Sequence, residues 1–144
     1  MDILRRNTDY ALRAIVSLAK HWQQEPVSTS EVAKEQAIPY QLACKIFQKL
    51  NKAQLVESSM GPNGGFQLSR NPAKINLQQV IEAIQGPMSL NRCLLHTDTC
   101  PNQADCPVSK SLGCLQNYMN SYFQSVTVDD LLNNKHRKRG RKND

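Results

Sequence analysis

The run Leu55-Val-Glu-Ser-Ser-Met-Gly-Pro-Asn-Gly-Gly-Phe-Gln-Leu68 divides into two short strand-like segments, Leu55–Met60 and Phe66–Leu68, about the turn Gly61-Pro-Asn-Gly-Gly65. Its glycines permit the positive φ of a tight reversal, so the run predicts a small antiparallel hairpin. A glycine-rich turn can also cradle a nucleotide phosphate. Here no Gly-Lys-Ser/Thr follows and the turn does not lead from strand into helix, which sets that reading aside.

Upstream of the hairpin, Leu42, Ala43, Ile46, Phe47, Leu50 and Ala53 share one side of a helical wheel, with Gln41, Cys44, Lys45, Gln48 and Lys52 opposite. A shorter helix, Glu31 to about Gln36, precedes it behind the capping box Ser28-Thr-Ser-Glu31, and Ala37-Ile-Pro39 breaks the two apart. Two such helices could form an ordinary hairpin with a solvated polar face. The β-hairpin that follows favours a winged helix-turn-helix, whose second helix reads DNA. Gln can bond bidentately to adenine and Lys can reach guanine or phosphate. The candidate DNA-contacting set is therefore Ser28, Ser30, Gln41, Cys44, Lys45, Gln48, Lys49 and Lys52, with Pro62, Asn63 and Gly64 on the wing.

The flanks are helical. Tyr10, Ala11, Ala14, Ile15, Leu18, Ala19 and Trp22 recur at three- and four-residue spacing, predicting a first helix from near Asn7 or Thr8. Asn76-Leu-Gln-Gln79 can cap a helix that turns Val80, Ile81 and Ile84 inward and stops at Gly86-Pro87. From Pro107 a longer helix presents Leu112, Leu115, Tyr118, Met119, Tyr122, Phe123 and Val126, a stripe more economically buried against a second copy than left on a monomer. Thr127 starts a last short helix with Asp129-Asp130 in its first turn. The expected fold is mainly α with a small β wing. It divides into a winged helix-turn-helix (1–86), a cysteine loop (87–107), a dimerisation helix with a short C-terminal helix (108–134) and a disordered basic tail (135–144).

With 144 residues and 40% hydrophobic content, the chain suits one compact domain or a domain with an appendage. No apolar run approaches the roughly 18 residues of a membrane span, and the N-terminus lacks the order of a signal peptide, so a cytoplasmic protein is expected. The net charge of +6 is concentrated in residues 135–144, which hold six Lys and Arg against one Asp. That run could aid solubility or bind phosphates nonspecifically. His21, His96 and His136 are scattered and no nucleophile elbow or acid–base pair is visible, which argues against an enzyme.

Five cysteines, Cys44, Cys93, Cys100, Cys106 and Cys114, are an odd count, and cytosolic thiols stay reduced, so structural disulfides are a poor explanation. Cys93, Cys100 and Cys106 form a C-X6-C-X5-C run. Structural zinc usually pairs cysteines two to four residues apart. An iron-sulfur cluster is larger, and a loop wrapped around one tolerates wider gaps. Cys106 precedes Pro107, a favourable first helical residue, which places its sulfur at a helix N-terminus, a setting suited to a thiolate ligand. Cys114 reads as a packing residue of the long helix. Cys44 faces the DNA side, either as a small side chain tolerated in the groove or as a second thiol switch.

Thr8-Asp-Tyr-Ala-Leu-Arg-Ala14, the helix-turn-helix through Ile46-Phe-Gln-Lys-Leu50, Leu55-Val56, the wing Gly61-Pro-Asn-Gly-Gly-Phe66, Val80-Ile-Glu-Ala-Ile84 and the three-cysteine loop occur in an order and spacing that resembles the Rrf-two family of winged-helix transcription regulators. The resemblance spans nearly the whole chain. It implies a homodimer on a near-palindromic double-stranded operator, with the recognition helix in the major groove and the wing near the minor groove. It also implies a 2Fe-2S or 4Fe-4S cluster on Cys93, Cys100 and Cys106. In IscR-like members the fourth ligand is a histidine three residues past the last cysteine, a position held here by Ser109, a poor ligand. In NsrR-like members it is the aspartate of the Thr-Asp-Tyr segment, supplied by the other subunit, and Asp9 matches it. His96 and Asp98 are local competitors. Ser58-Ser59 replace the paired basic residues that often precede the wing glycine, and Leu42 stands where a tyrosine is common, with Tyr40 two residues earlier, which alters the expected operator. The expected function is a DNA-binding regulator, a repressor, that senses nitric oxide, iron or redox state through a cluster. A thiol- or zinc-based regulator and an iron-sulfur carrier or electron-transfer protein are the alternatives.

Overall fold

Helix α1 (Arg6–Ala19) buries Tyr10, Ala11, Ala14, Ile15, Leu18 and Ala19 along one face. The computed structural model describes residues 2–96 and 100–135; the basic run 136–144, with His136, and the competitor ligand Asp98 lie outside the described residues. Ile15 and Leu18 are fully buried, each contributing on the order of 1.5–3 kcal/mol. The helix ends at Ala19, so Trp22, expected to extend its stripe, packs on the same core from the following turn.

Helix α2 (Thr29–Glu35) begins with the expected capping box: Ser28 Oγ accepts from Glu31 N at 3.2 Å, and Glu31 Oε2 accepts from Ser28 N at 3.1 Å. Its end and that of α3 (Tyr40–Lys52) are built alike. Ala37 (φ 52) and Gln54 (φ 61) both adopt the left-handed conformation. The next N–H then returns to the helix, Ile38 to Ala33 O at 2.9 Å and Leu55 to Leu50 O at 3.0 Å. These are Schellman closures, and each buries the residue after the turn, Ile38 and Leu55, in the core. On α3, Ala43, Ile46, Phe47 and Leu50 are buried and Leu42 packs against the core. Ala53, expected on that stripe, is the exposed C-cap.

The wing is the antiparallel pair β1 (Val56–Ser59) and β2 (Gly65–Leu68), in register Val56 with Leu68 and Ser58 with Phe66. Val27, just before the α2 cap, pairs with Phe66 through N–H···O bonds of 2.9 and 2.8 Å. The Phe66 ring stacks on Phe47 of α3 with centroids 4.7 Å apart and planes 9° from parallel. The wing glycines thus serve two purposes. Only Gly61 has positive φ (108). Gly64 and Gly65 are required for space: a Cβ on Gly65 would overlap the Val27 carbonyl, and one on Gly64 would lie 2.9 Å from Gly61 O and closer still to Ser59 O.

A 3-10 turn (Pro72–Lys74) leads into α4 (Leu77–Gln85), capped reciprocally by Asn76 and Gln79 and ended at Gly86 (φ 79). α4 packs on α1, α3 and α6. After the four-residue α5 (Arg92–Leu95), α6 (Pro107–Ser125) runs 19 residues, about 28 Å. Its expected apolar stripe divides. Leu112, Met119 and Phe123 are half-buried, whereas Leu115, Tyr118 and Tyr122 are exposed, as is Val108, which precedes the stripe. The chain then returns: Val126 and Val128 are buried, Thr127 bridges Asn76, and α7 (Val128–Leu132) packs on α1 and the 3-10 turn.

Gly65→Ala should lower stability by about 2–3 kcal/mol through overpacking against Val27, read in urea or thermal unfolding. Ala37→Gly should act in the opposite direction. Relief of a left-handed alanine is worth roughly 1–2 kcal/mol against a glycine entropy cost of roughly 0.5–1 kcal/mol, so the variant should gain up to about 1 kcal/mol. Glu35 accepts from Lys20 Nζ at 2.8 Å and Ser17 Oγ at 2.9 Å, and these bonds, Lys20 first, hold its carboxyl below the ordinary range. Its contribution is therefore present above the unfolded-state pKa and lost as pH falls through the lowered one. Glu35→Gln should cost less than about 1 kcal/mol at neutral pH, a difference that vanishes in acid.

Candidate nucleic-acid interface and cysteine loop

Because α3 buries its apolar face, Gln41, Lys45, Gln48, Lys49 and Lys52 remain exposed and Cys44 half-buried on the outer side. The wing pairing brings Pro62, Asn63 and Gly64 beside Ser28, and together with Glu25, Pro26 and Glu31 they line a cleft of about 630 Å³. Ser30 is exposed in the first turn of α2. The Glu31 carboxylate, which would repel phosphate, is committed to the cap. Lys49 differs from its neighbours: its ammonium donates to Ile84 O at 3.3 Å, on the last turn of α4.

Tyr40 was not among the candidate DNA-contacting residues, yet it opens α3 with 57% exposure. The Cys44 side chain, one turn on, hydrogen-bonds its hydroxyl and raises the phenol above its ordinary value. An exposed aromatic at i−4 from a thiol on the polar side of a recognition helix was a signal for it.

The cysteine loop is assembled from the starts of two helices. Cys93, half-buried in α5, donates its thiol to Ser109 Oγ at 3.7 Å, one turn beyond Cys106. Cys106 is the half-buried N-cap of α6 and Cys100 is exposed. Gln103 ties the loop back by donating to the Cys93 carbonyl and to His96 O at 3.3 Å. Gln116, 8% exposed on α6, holds the approach to the loop: it accepts from Leu90 N at 2.8 Å and donates to Met88 O at 3.1 Å. Glutamines give no periodic signal, so neither brace was legible. All five cysteines are unbridged thiols. Three thiols on one short segment are a donor set that fits an iron-sulfur cluster, although no three His, Cys, Asp or Glu side chains among the described residues are gathered as a metal site. Cys114, expected to pack, is exposed beside Leu115.

Asp9 is exposed in the first turn of α1, its Oδ2 3.3 Å from Arg13 Nε. The neighbouring Thr8 is fully buried and donates to Gln85 Oε1 at 2.6 Å, while Gln85 Nε2 donates to Ile3 O at 3.1 Å. The last turn of α4 thereby holds α1 through Gln85 and α3 through Lys49.

This geometry separates neighbouring lysines by effect. Lys49→Met should lose about 0.5–1.5 kcal/mol of stability with its hydrogen bond to Ile84. Lys45→Met should leave the unfolding midpoint unchanged and reduce the salt dependence of DNA binding by about one phosphate contact.

The Rrf2 model, described as an iron-dependent transcriptional regulator, matches residues 4–134. The HTH-type transcriptional regulator NsrR of Halalkalibacterium halodurans is 32% identical over 131 residues, 88% of each chain. Among solved structures, T. potens IscR covers 92% of this chain and 87% of its own at TM-score 0.72 and 25% identity. CymR, the global cysteine regulator of B. subtilis, shares the fold at TM-score 0.77 and 22% identity, over 94% of this chain and all of its own. Since the helix-turn-helix, the wing and the long helix all fall within the matched residues, the chain belongs to the Rrf2 family of transcriptional regulators.

Proposed function

We infer that the chain is a homodimeric repressor that reads a near-palindromic operator with α3 and the wing and senses its signal at the Cys93–Cys106 loop. Rrf2 members are transcriptional regulators rather than enzymes, and the family's description as iron-dependent supports the iron-linked version. The observation that carries the reading is the hydrogen bond from Cys93 of α5 to Ser109 in the first turn of α6, the helix that Cys106 caps, with α6 packed on the helix that grips both α1 and α3.

Cys93, Cys100 and Cys106 would hold an iron-sulfur cluster, with Asp9 of a second copy as fourth ligand. When bound, such a group supplies a centre that responds to iron supply, redox state or nitric oxide. The protein's part is mechanical. Its thiols are not gathered in the described residues, so drawing them to one centre and ordering the loop are one event. Thiolates so drawn together fix α5 against the start of α6. Released, they leave the Cys93–Ser109 hydrogen bond and the Gln103 and Gln116 ties, and α6 can shift on α4. Because half-sites lie about one helical turn, roughly 34–36 Å, apart, a small rotation at α4 changes whether both recognition helices engage. Val108, Leu115, Tyr118 and Tyr122 supply the apolar face on which α6 would meet its copy.

The exposed Cys100 favours a second reading, thiol-based regulation without a cluster. A cluster carrier would leave the recognition helix and wing without a use.

In anaerobically purified protein, Cys93→Ala should abolish visible cluster absorbance and signal-dependent operator binding. Asp9→Ala should weaken cluster retention while costing under about 1 kcal/mol of fold stability, since its ion pair with Arg13 is exposed. A colourless, iron-free parent with full, thiol-sensitive operator binding would move the assignment to the second reading. Tyr118→Glu combined with Leu115→Glu should shift the sedimentation profile from dimer to monomer.

A further inference from the structure

Between Lys52 and Arg70 the chain carries no Lys or Arg, and its one charged side chain there is the Glu57 carboxylate. The wing therefore offers DNA phosphates no cation. Arg70, at its base, is turned back on the protein and donates to Gln54 O at 3.2 Å and Lys74 O at 3.4 Å. The cations of the reading surface stand on α3, where Lys45 and Lys52 are exposed.

What the wing tip presents instead is Met60, 98% exposed, the most of any large hydrophobic side chain among the described residues. The backbone beneath it is held tightly. Gly64 N donates to Gly61 O at 2.9 Å across the turn, and the strands approach so closely that a Cβ on Gly64 would lie 3.0 Å from the Met60 carbonyl carbon. The Phe66–Phe47 stack and the pairing with Val27 fix this frame beside α3 and the entrance of α2. With α3 in a major groove, an element at its side meets either the phosphate backbone or the adjoining minor groove. Phosphate contact takes cations or hydrogen-bond donors. Asn63 can donate to a phosphate; Met60 cannot, and gains only from an apolar surface such as the sugar walls of the minor groove. That groove is about 6 Å wide, and an unbranched, polarizable thioether adapts to so narrow a slot.

We propose that Met60 is a specificity-determining contact of the wing, an apolar side chain laid into the DNA minor groove that selects A·T pairs there. This rests on the DNA-binding reading above. A·T and T·A pairs line the groove floor with adenine N3 and thymine O2 alone, whereas guanine adds its N2 amino group. That amino group projects into the space the thioether would fill, so a G·C pair under Met60 is penalised.

The test compares the full-length parent, Met60→Ala and Met60→Leu on the DNA upstream of the chain's own gene, synthesised with adenine or with 2,6-diaminopurine. The analogue keeps adenine's major-groove face and adds the minor-groove amino group. The parent should lose at least roughly fivefold in affinity on diaminopurine DNA. Met60→Ala should bind ordinary DNA at least roughly fivefold more weakly than the parent, yet lose less than about twofold on diaminopurine DNA. Its log–log salt slope should equal the parent's, and Met60→Leu should bind ordinary DNA as the parent does. Because the side chain is almost wholly exposed, both variants should keep the parent's unfolding midpoint. An alanine variant that matches the parent's affinity, or shares its diaminopurine penalty in full, would overturn the contact alone. So would a slope shallower by about 0.9, the mark of a lost phosphate contact. A parent that fails to bind duplex DNA overturns the contact together with the reading on which it rests.

Discussion

Phe66 is the residue on which the reading head depends. Its backbone pairs with Val27, its ring stacks on Phe47, and its strand partner is Ser58, so one residue joins the entrance of α2, the buried side of α3 and both strands of the wing. Aromatic stacking adds about 0.5–1.5 kcal/mol beyond burial, but the geometric consequence is larger. The backbones meet so closely that only glycine fits at position 65. Ser28, the α3 surface and the wing tip are thus held as one rigid surface.

That surface is connected to the cysteine loop by α4. Its last turn accepts from Lys49 on α3 and bonds through Gln85 to Thr8 on α1, and its outer side carries α6. Thr8 is a fully buried hydroxyl whose partner is a side chain of another helix, and loss of that partner would leave it unsatisfied. α4 is thus the element through which a shift of α6 would reach α1, which carries Asp9, and the recognition helix.

Much of this was legible because local chemistry is self-contained. The capping boxes at Ser28, Asn76 and Thr127 form as their spacing requires, and the winged fold followed from periodicity and turn residues. What was not legible is tertiary. Ala37 and Gln54 take left-handed turns without glycine because the burial of Ile38 and Leu55 outweighs the strain. Gly64 and Gly65 look like turn residues but are clearance residues. α5, at four residues, is too short for any period to show. The long helix's single stripe became two because α4 covers only one side of it, leaving Tyr118 at 55% exposure. At the site, residue types pointed to a candidate donor set and to the polar face of α3, whereas the roles of Gln103, Gln116 and Lys49 depend on neighbours distant in sequence.

The central claim, that a signal at the cysteine loop changes how two winged domains sit on DNA, is most directly tested by hydroxyl-radical footprinting of the DNA upstream of the chain's own gene, under anaerobic conditions, before and after removal of iron. The account predicts two protected patches about one helical turn apart, roughly 34–36 Å, whose protection changes when iron is removed. Protection at one half-site only, or an identical footprint in both states, would contradict it.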